Sequence, residues 1–338
     1  MNNFKTIPHN KPTMGIDEAS AAQSVIISND LVKGYHTQAF EDDICEYLGL
    51  PQGHAVCVTS GSAALFIALK TLKLKNKTVA IPSYACSSLK HACTLNQADI
   101  IYLDNKKNSV IFDSEQKKFD ALIHPYLYGL SSKLPSCNQP IIEDLAQALG
   151  ASTNNKMLGT MGELGVLSFY ATKMISSGGQ GGMLVSKSKN LIEQAKDYIK
   201  FDQQHDNNAR FNFHITEVQA AIGRVQLKKL PEFIKQRQIR WQIYKDAGLT
   251  LLDNTSSELS HVRYRAIVLS SRYQKVIHDL KTKGITAINP FESNELLDKH
   301  CINANSITQK TVSLPLYPSL SIEDTHFIAM QTKKVLEV

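Results

Sequence analysis

Short apolar runs alternate with helical periodicity between residues 55 and 186. Continuous apolar runs bounded by turn residues predict buried strands, and apolar residues spaced three or four apart predict helices. We predict strands at AVCVTS (55–60), TVAIP (78–82), DIIYLD (99–104), ALIHPY (121–126), PIIEDL (140–145), VLSFY (166–170) and GMLVS (182–186). Helical patterns at 62–72 and 88–98 separate the first three. The pattern predicts a largely parallel sheet with helices on both faces, in which ligands bind at the carboxyl ends of the strands.

The second part of the chain has longer helical patterns and fewer strands. Its predicted elements are a helical stretch at 213–245 interrupted by Pro231, a strand at 261–269, a helix at 273–284 and a terminal helix capped by Ser321. We therefore predict an α/β protein with a large domain at residues 1–235 and a smaller α+β domain at residues 236–338.

Composition narrows the function classes. The chain has 338 residues and a net charge of +6, and no basic run with interleaved aromatics indicates nucleic-acid binding. No apolar window is long enough to span a membrane, and MNNFKTIPHN lacks the apolar stretch of a signal peptide. The six cysteines show no metal-ligand spacing. We expect a cytoplasmic, reduced protein without a metal site.

Residues 59–64, TSGSAA, turn a predicted strand directly into a helix. Free amides at a helix start favour a phosphate, so Gly61, Ser62 and Ala63 are candidates for binding one. A plain helix cap made of small residues explains the same pattern.

Residues 142–151, IEDLAQALGA, place two acids and a glutamine after an apolar strand. One interpretation is a helix that opens with acidic residues. The alternative is that Asp144 pairs with a protonated heterocyclic nitrogen while Gln147 reaches another polar atom of the same ring.

Residues 168–182, SFYATKMISSGGQGG, contain a lysine followed by glycines. A nucleotide-binding P-loop has its glycines before the lysine, so this order excludes that motif. Lys173 is then either a solvated surface residue or a reactive amine, and Ser168 precedes it at a strand end.

In this order, the segments resemble the DegT/StrS-type aminotransferases, which are fold-type I pyridoxal-phosphate enzymes that aminate keto sugars attached to nucleotides. The matching segments are PSY (82–84), EDLAQALGA (143–151), SFYATK (168–173), NFHITEVQAAIG (212–223) and SLPLYPSLS (313–321). The resemblance implies a seven-stranded, mainly parallel sheet, and active sites shared between the subunits of a homodimer.

The resemblance also implies a role for each matching residue. Lys173 would bind the cofactor aldehyde covalently and carry the exchanged proton, and Asp144 would keep the pyridine nitrogen protonated. Gln147 would lie near the ring hydroxyl. The phosphate would be held by Gly61, Ser62, Ala63 and Ser168, together with Asn212 of the partner subunit.

Three positions depart from the family pattern. Cys86 stands where an aromatic residue often covers the cofactor, so that Tyr84 is an alternative for this role. The loop GGQGG (178–182) is one residue longer than the family's and has Gln180 in place of a glutamate. His214 replaces a frequent arginine or lysine. We predict that Tyr84, Gln180 and His214 contact the substrate.

The function implied is transfer of an amino group, with L-glutamate as donor, to a nucleotide-linked keto sugar for glycan or amino-sugar biosynthesis. Pyridoxamine 5′-phosphate would be the intermediate form of the cofactor. Two alternatives stay open: a sugar dehydratase with the same cofactor, using a histidine in place of the lysine or an added iron–sulfur cluster, and a non-catalytic regulatory homologue.

Overall fold

Strands and helices alternate along the chain in a computed structural model that describes residues 6–114 and 117–337. The strands are β1 (Ala55–Val58), β2 (Thr78–Pro82), β3 (Asp99–Leu103), β4 (Ala121–Pro125), β5 (Ile141–Asp144), β6 (Ser152–Thr153), β7 (Lys156–Met157), β8 (Leu164–Ser168), β9 (Gly182–Val185), β10 (Leu259–Ser260), β11 (Ala266–Leu269) and β12 (Thr311–Leu314). The helices are α1 (Ile16–Ser28), α2 (Tyr35–Leu48), α3 (Gly61–Thr71), α4 (Ser87–Leu95), α5 (Lys189–Ile199), α6 (Glu217–Asp246), α7 (Tyr273–Thr282), α8 (Ile302–Thr308) and α9 (Ile322–Glu337).

Seven strands form the central sheet in the order β1-β9-β8-β5-β4-β2-β3. β9 pairs antiparallel with β1 and β8. The remaining neighbours pair parallel: β8 with β5, β5 with β4, β4 with β2, and β2 with β3. The prediction of an α/β fold with a mainly parallel seven-stranded sheet is confirmed. Because the other six strands run in one direction, their carboxyl ends share one edge of the sheet. Asp144 ends β5 and Ser168 ends β8 at this edge.

Alternate residues of the strands pack into two cores, one on each face of the sheet. Cys57 in β1 and Leu167 in β8 join a core with side chains of α2 and α6. Val56 and Val166, the neighbouring residues in the same strands, join a core with α3, α4 and α5. Burial on both faces requires apolar residues at consecutive positions, which explains the uninterrupted apolar runs of these strands.

The long helix α6 leads from the large sheet to the rest of the chain. Thr216 and Gln219 form a capping box at its start. The predicted interruption at Pro231 was wrong, because the helix continues through the proline. A proline inside a helix removes one backbone hydrogen bond. Packing of α6 against α1, α2 and α9 offsets this cost.

A smaller group of elements follows α6. The antiparallel pair β11–β12 packs with α7 and α9 around its own core, which includes Val268, Leu280, Val312 and Ile328. Residue 235, the predicted end of the large domain, lies within α6, and the division at this point stays a prediction. Among the described residues, no helix is long and apolar enough to cross a membrane.

Glu41 of α2 is a buried acid whose titration is expected to affect stability. Burial raises its pKa to about 7, although a hydrogen bond from the Cys57 amide and the charge of Lys196 act in the opposite direction. Because this pKa lies above the ordinary glutamate value, the folded state binds the proton more tightly than the unfolded chain. The free energy of unfolding therefore falls as pH rises from about 4.5 to 7.

Replacing Glu41 with glutamine is expected to remove this pH dependence. The amide keeps an acceptor for Cys57 but carries no charge, so the variant should gain up to ~3 kcal/mol relative to wild type between pH 5 and pH 8. Urea titrations of both proteins at several pH values measure the difference. Replacing Glu193, an exposed glutamate on α5, with glutamine is the matched control. A constant difference between Glu41→Gln and wild type across this range would contradict the prediction.

Candidate active site

A cavity of about 240 Å³ opens among the strand ends at the carboxyl edge of the central sheet. Eight residues that the sequence analysis identified contribute to its lining: Gly61, Ser62, Cys86, Asp144, Gln147, Ser168, Lys173 and Gln180. They come from α3, the start of α4, β5 and its following turn, and the loop after β8. The fold thus brings four separate sequence segments to one place.

The start of α3 forms one wall of the cavity. The Ser60 hydroxyl accepts a hydrogen bond from the Ala63 amide at 3.1 Å. The amide of Ala63, one of the predicted phosphate-binding residues, therefore already has an acceptor within the chain. The amides of Gly61 and Ser62, at the first two positions of the helix, have no intrahelical acceptor. With the positive end of the helix dipole, these two amides are suited to bind an anion such as a phosphate.

Gly61 is required for the close approach of Ser168 to this helix start. A Cβ atom at position 61 would lie 2.8 Å from the Cβ of Ser168, closer than real Cβ contacts. Glycine therefore allows the end of β8 to pack against α3. The Ser168 side chain then faces the same cavity as the free amides.

Asp144 lies at the end of β5 and is only 7% exposed. Its Oδ1 accepts a hydrogen bond from the Ala146 amide at 2.9 Å. Burial raises the pKa of Asp144, and the Ala146 hydrogen bond and the charge of Lys173 partly offset that effect. A buried carboxylate that faces a cavity is suited to a ligand that brings its own charged N–H group.

The preceding acid, Glu143, has a structural role. It is fully buried and accepts hydrogen bonds from the Tyr126 hydroxyl and from the amides of Gly159, Met161 and Gly162, at 2.7–2.9 Å. Successive side chains of a strand point to opposite sides. Consequently, Glu143 holds a turn while Asp144 reaches the cavity.

Gln147 is oriented by the turn that follows β4. Its Oε1 accepts a hydrogen bond from the Tyr128 amide at 2.7 Å. The oxygen is thereby occupied, and the amide nitrogen is the donor left for a ligand in the cavity that Gln147 lines.

The loop that carries Lys173 closes on itself between β8 and β9. The Ala171 amide donates to the Gly179 carbonyl at 3.0 Å, and the Ser177 amide donates to the Phe169 carbonyl at 3.0 Å. A Cβ on Gly182 would lie 2.3 Å from the Ser60 carbonyl carbon. Gly182 therefore allows the end of the loop to pack against the start of α3.

Cys86 and Tyr84 have different environments. Cys86 is exposed at the cavity and precedes α4 without a capping hydrogen bond from its thiol. Tyr84 is fully buried outside the cavity lining, with its hydroxyl 2.5 Å from that of Tyr128 and its ring edge-on to Phe291. The proposed substrate contact of Tyr84 stays a prediction.

Two tyrosines that the sequence analysis missed line the cavity. Tyr126 directly follows β4 and Tyr170 lies two residues after β8. Both occupy the ends of predicted strands, and this position at the carboxyl edge is the signal that could have identified them.

Asn212 and His214 lie outside the cavity of their own chain. Asn212 is exposed, and its Oδ1 accepts the His214 amide at 3.1 Å. His214 lines a second pocket together with Lys33 and Lys196. Burial and the nearby charge of Lys33 lower the pKa of His214. The segment is fixed beside β1 by a 2.9 Å hydrogen bond from the Thr59 amide to the Phe213 carbonyl.

The family model of the DegT/DnrJ/EryC1/StrS aminotransferases matches residues 12–332. The chain belongs to this family. The resemblance inferred from the motifs and the prediction of an aminotransferase are therefore confirmed.

Individual relatives match nearly the whole chain. The GDP-perosamine synthase of Escherichia coli O157:H7 is 26% identical over 360 residues, covering 96% of this chain and 97% of the relative. The aminotransferase TlmJ of Streptoalloteichus hindustanus has a TM-score of 0.89 at 23% identity, covering 98% and 99% of the two chains. Spr1654 of Streptococcus pneumoniae, solved in PLP and PMP forms, has a TM-score of 0.89 with each form at 18% and 19% identity, covering 98% of this chain and 98–99% of Spr1654. These three structures show that the fold is that of fold-type I aminotransferases.

Proposed function

We propose that the protein uses pyridoxal 5′-phosphate to transfer an amino group from L-glutamate to a nucleotide-linked keto sugar. The observation that carries this proposal is the meeting of Lys173, Asp144 and the start of α3 at one cavity. These groups complement the aldehyde, the ring nitrogen and the phosphate of the cofactor. The name of the Escherichia coli relative, GDP-perosamine synthase, supports a nucleotide-linked sugar as the substrate.

The residues of the cavity fit the cofactor group by group. The amides of Gly61 and Ser62 and the Ser168 hydroxyl would hold the phosphate, and the Asp144 carboxylate would accept the ring N–H. The Gln147 amide nitrogen would donate to the ring hydroxyl. When bound, the cofactor supplies a carbonyl carbon that receives the amino group and a protonated ring that withdraws electron density from it.

Lys173 would perform two tasks in this site. Its Nζ would hold the cofactor by a covalent bond until an amino donor displaces it. The freed amine would then take up and return the proton at the reacting carbon. Asp144 would keep its negative charge throughout and so maintain the ring in its protonated form.

The absorbance of the bound cofactor tests the reaction in two halves. Addition of L-glutamate should bleach the aldehyde form as pyridoxamine 5′-phosphate and 2-oxoglutarate accumulate. Addition of a nucleotide-linked 3-keto or 4-keto sugar should then restore the absorbance. Bound cofactor that responds to no amino donor would contradict the transaminase proposal.

The iron–sulfur dehydratase alternative receives no support from the cysteines. In the parts of the chain that the structure describes, no three His, Cys, Asp or Glu side chains are grouped so as to hold a metal ion. Cys93 is buried within α4, whereas Cys86 faces the cavity. The presence of Lys173 also argues against a sugar dehydratase of the kind that has a histidine in place of this lysine.

The proposal includes a homodimer in which Asn212 completes the partner's phosphate site. Large apolar side chains are exposed on α1, in the turn after it, at the start of α2 and next to Asn212: Ile16, Ile26, Ile27, Leu31, Val32, Tyr35 and Phe211. We name these seven residues the apolar patch. Val32 forms a β-bridge to Thr216, and the Glu217 amide donates to the Leu31 carbonyl at 3.0 Å, so Leu31 and Val32 of the apolar patch adjoin the Asn212 segment. An exposed apolar surface of this kind favours contact with a second copy.

Replacing Val32 with aspartate is expected to yield an inactive monomer, because the charge would be buried in the interface. Sedimentation velocity measures the assembly state. Ile302 is similarly exposed but lies at the start of α8, and Ile302→Asp is the matched control. An active Val32→Asp monomer would contradict the shared site.

Subunit mixing tests the contribution of Asn212 directly. Lys173→Ala and Asn212→Ala proteins should each be nearly inactive. Mixing them after subunit exchange should restore about one quarter of wild-type activity, since roughly half of the dimers are hybrids and each hybrid has one intact site. Absence of any recovery in confirmed hybrids would remove Asn212 from the partner's site.

A further inference from the structure

Next to Lys173 lies a buried tyrosine that the proposed reaction does not use. Tyr264 is 4% exposed, and the Lys173 Nζ lies 5.9 Å from the centroid of its ring. The guanidinium carbons of Arg265 and Arg237 lie 5.3 and 5.5 Å from the same centroid. Three cationic side chains therefore surround one phenol ring.

The two arginines bind neutral groups. Arg237 donates to the carbonyls of Tyr264 and Leu316 at 3.1 and 2.8 Å, and its Nε has no partner among the described residues. Arg265 contacts the ring nitrogen of His9 at 3.1 Å and the Ser313 hydroxyl at 3.4 Å. Burial and Arg265 lower the pKa of His9 to about 3, so it stays neutral. Neither arginine forms an ion pair with a described carboxylate, and their positive charges remain uncompensated around the ring.

The position of Tyr264 is fixed from several sides. The amide of Val262, two residues before it, and the amide of Arg265, directly after it, donate to the carbonyls of Gly129 and Tyr128 at 3.0 and 3.2 Å. Gly129 has a φ of +73°, and a Cβ there would lie 2.5 Å from the Tyr264 nitrogen. The Tyr264 hydroxyl also interacts with the side chain of Thr172, the residue before Lys173, which helps to lower the pKa of the phenol. The ring is thus held against the segment that carries the lysine.

The surrounding cations change the ionisation of the phenol. Burial raises the pKa of Tyr264, but the charges of Lys173, Arg265 and Arg237 and the hydrogen bond to Thr172 outweigh it and lower the value below that of an ordinary tyrosine. Other buried tyrosines behave in the opposite way, because burial raises the pKa of Tyr84, Tyr128 and Tyr244. Tyr264 therefore differs from a tyrosine that merely fills the core.

We propose that Tyr264 is a positioning residue for Lys173: the face of its ring holds the lysine amine at the cavity wall. An ammonium group is attracted to the face of an aromatic ring. A lysine side chain released from the cofactor would otherwise sample many rotamers. The ring limits this freedom, so that the amine stays where it can exchange a proton. The proposal rests on the proposed role of Lys173 in holding the cofactor.

Tyrosinate absorbance of the full-length protein tests the ionisation without any measurement of activity. Wild type should show one tyrosine that ionises at lower pH than the rest, and Tyr264→Phe should lack this step. Lys173→Met should move the step upward by roughly one pH unit, because a positive charge about 6 Å away is lost. Tyr244→Phe and Lys133→Met are the matched controls and should leave the step unchanged. The proposal is overturned if wild type has no early step, or if Lys173→Met does not move it.

Covalent capture of the cofactor tests the role of the ring. After borohydride reduction, Tyr264→Leu should give several-fold less cofactor fixed on Lys173 than wild type at equal cofactor concentration, whereas Tyr264→Phe, which keeps the ring, should retain the yield. Equal yields in folded Tyr264→Leu and wild type would refute the positioning role. If Tyr264→Leu does not fold, the titrations of Tyr264→Phe and Lys173→Met decide the question. Cofactor fixed on a residue other than Lys173 would refute the proposed function, and the titration would still report on Tyr264.

Discussion

Replacing Lys173 with alanine is expected to abolish covalent attachment of the cofactor and to lower the transamination rate at least ~10³-fold. In the proposed reaction the amine is the nucleophile that binds the aldehyde and the base that moves the proton, and no other lysine among residues 6–114 and 117–337 lines the cavity. The variant should fold, because the lysine side chain faces a cavity and forms no ion pair with a described residue. Borohydride reduction followed by peptide mass spectrometry measures the attachment.

Lys156, an exposed lysine in β7, provides the control for this experiment. Lys156→Ala should retain both the attachment and the rate. If Lys173→Ala still carried a borohydride-fixed cofactor, the reactive amine would have to be assigned to another residue.

Replacing Asp144 with asparagine is expected to separate activity from stability. The amide is nearly isosteric but cannot keep the ring nitrogen protonated, so the rate should fall by ~10³-fold or more. Burial raises the pKa of the Asp144 carboxyl. The charged form therefore destabilises the cofactor-free protein at neutral pH, and the variant should be as stable as wild type or more stable. Stopped-flow measurement of the glutamate half-reaction and urea unfolding provide the two readouts.

The neighbouring acid provides the contrasting variant. Glu143→Gln alters a buried carboxylate that accepts hydrogen bonds from three backbone amides and one hydroxyl, and it should lose roughly 2–4 kcal/mol of stability. An Asp144→Asn protein that lost stability to the same degree would indicate that Asp144, like Glu143, is a structural residue.

Local sequence patterns were sufficient for most of the sheet and for the residues placed at strand ends. Asp144 and Ser168 lie at the ends of apolar strands and Lys173 lies in the loop after one, and parallel strands bring their carboxyl ends together. The roles predicted for these three residues came from the resemblance of their segments to the family motifs. Cys86, Gln147 and Gln180 line the same cavity because each lies in a turn or loop connected to one of these strands.

Other features depended on contacts between distant segments. The pattern suggested a break at Pro231, but packing against three helices carries α6 through it. Tyr84 follows the end of a strand, yet its hydroxyl forms a hydrogen bond with the Tyr128 hydroxyl and its ring is buried outside the cavity lining. The Ser60 hydroxyl accepts the Ala63 amide as a helix cap, so this amide is already hydrogen-bonded within the chain.

The sequence by itself determined the family, the α/β class and the four segments that line the cavity, because strand and helix periodicity and motif order are local properties of the chain. Only the tertiary structure decided how these segments are supported. It placed Lys173, Arg237 and Arg265 around the ring of Tyr264, and it assigned Glu143 to a buried turn while Asp144 faces the cavity. Such contacts join residues far apart in sequence. Their electrostatic and packing energies depend on distances and burial that only the folded chain defines.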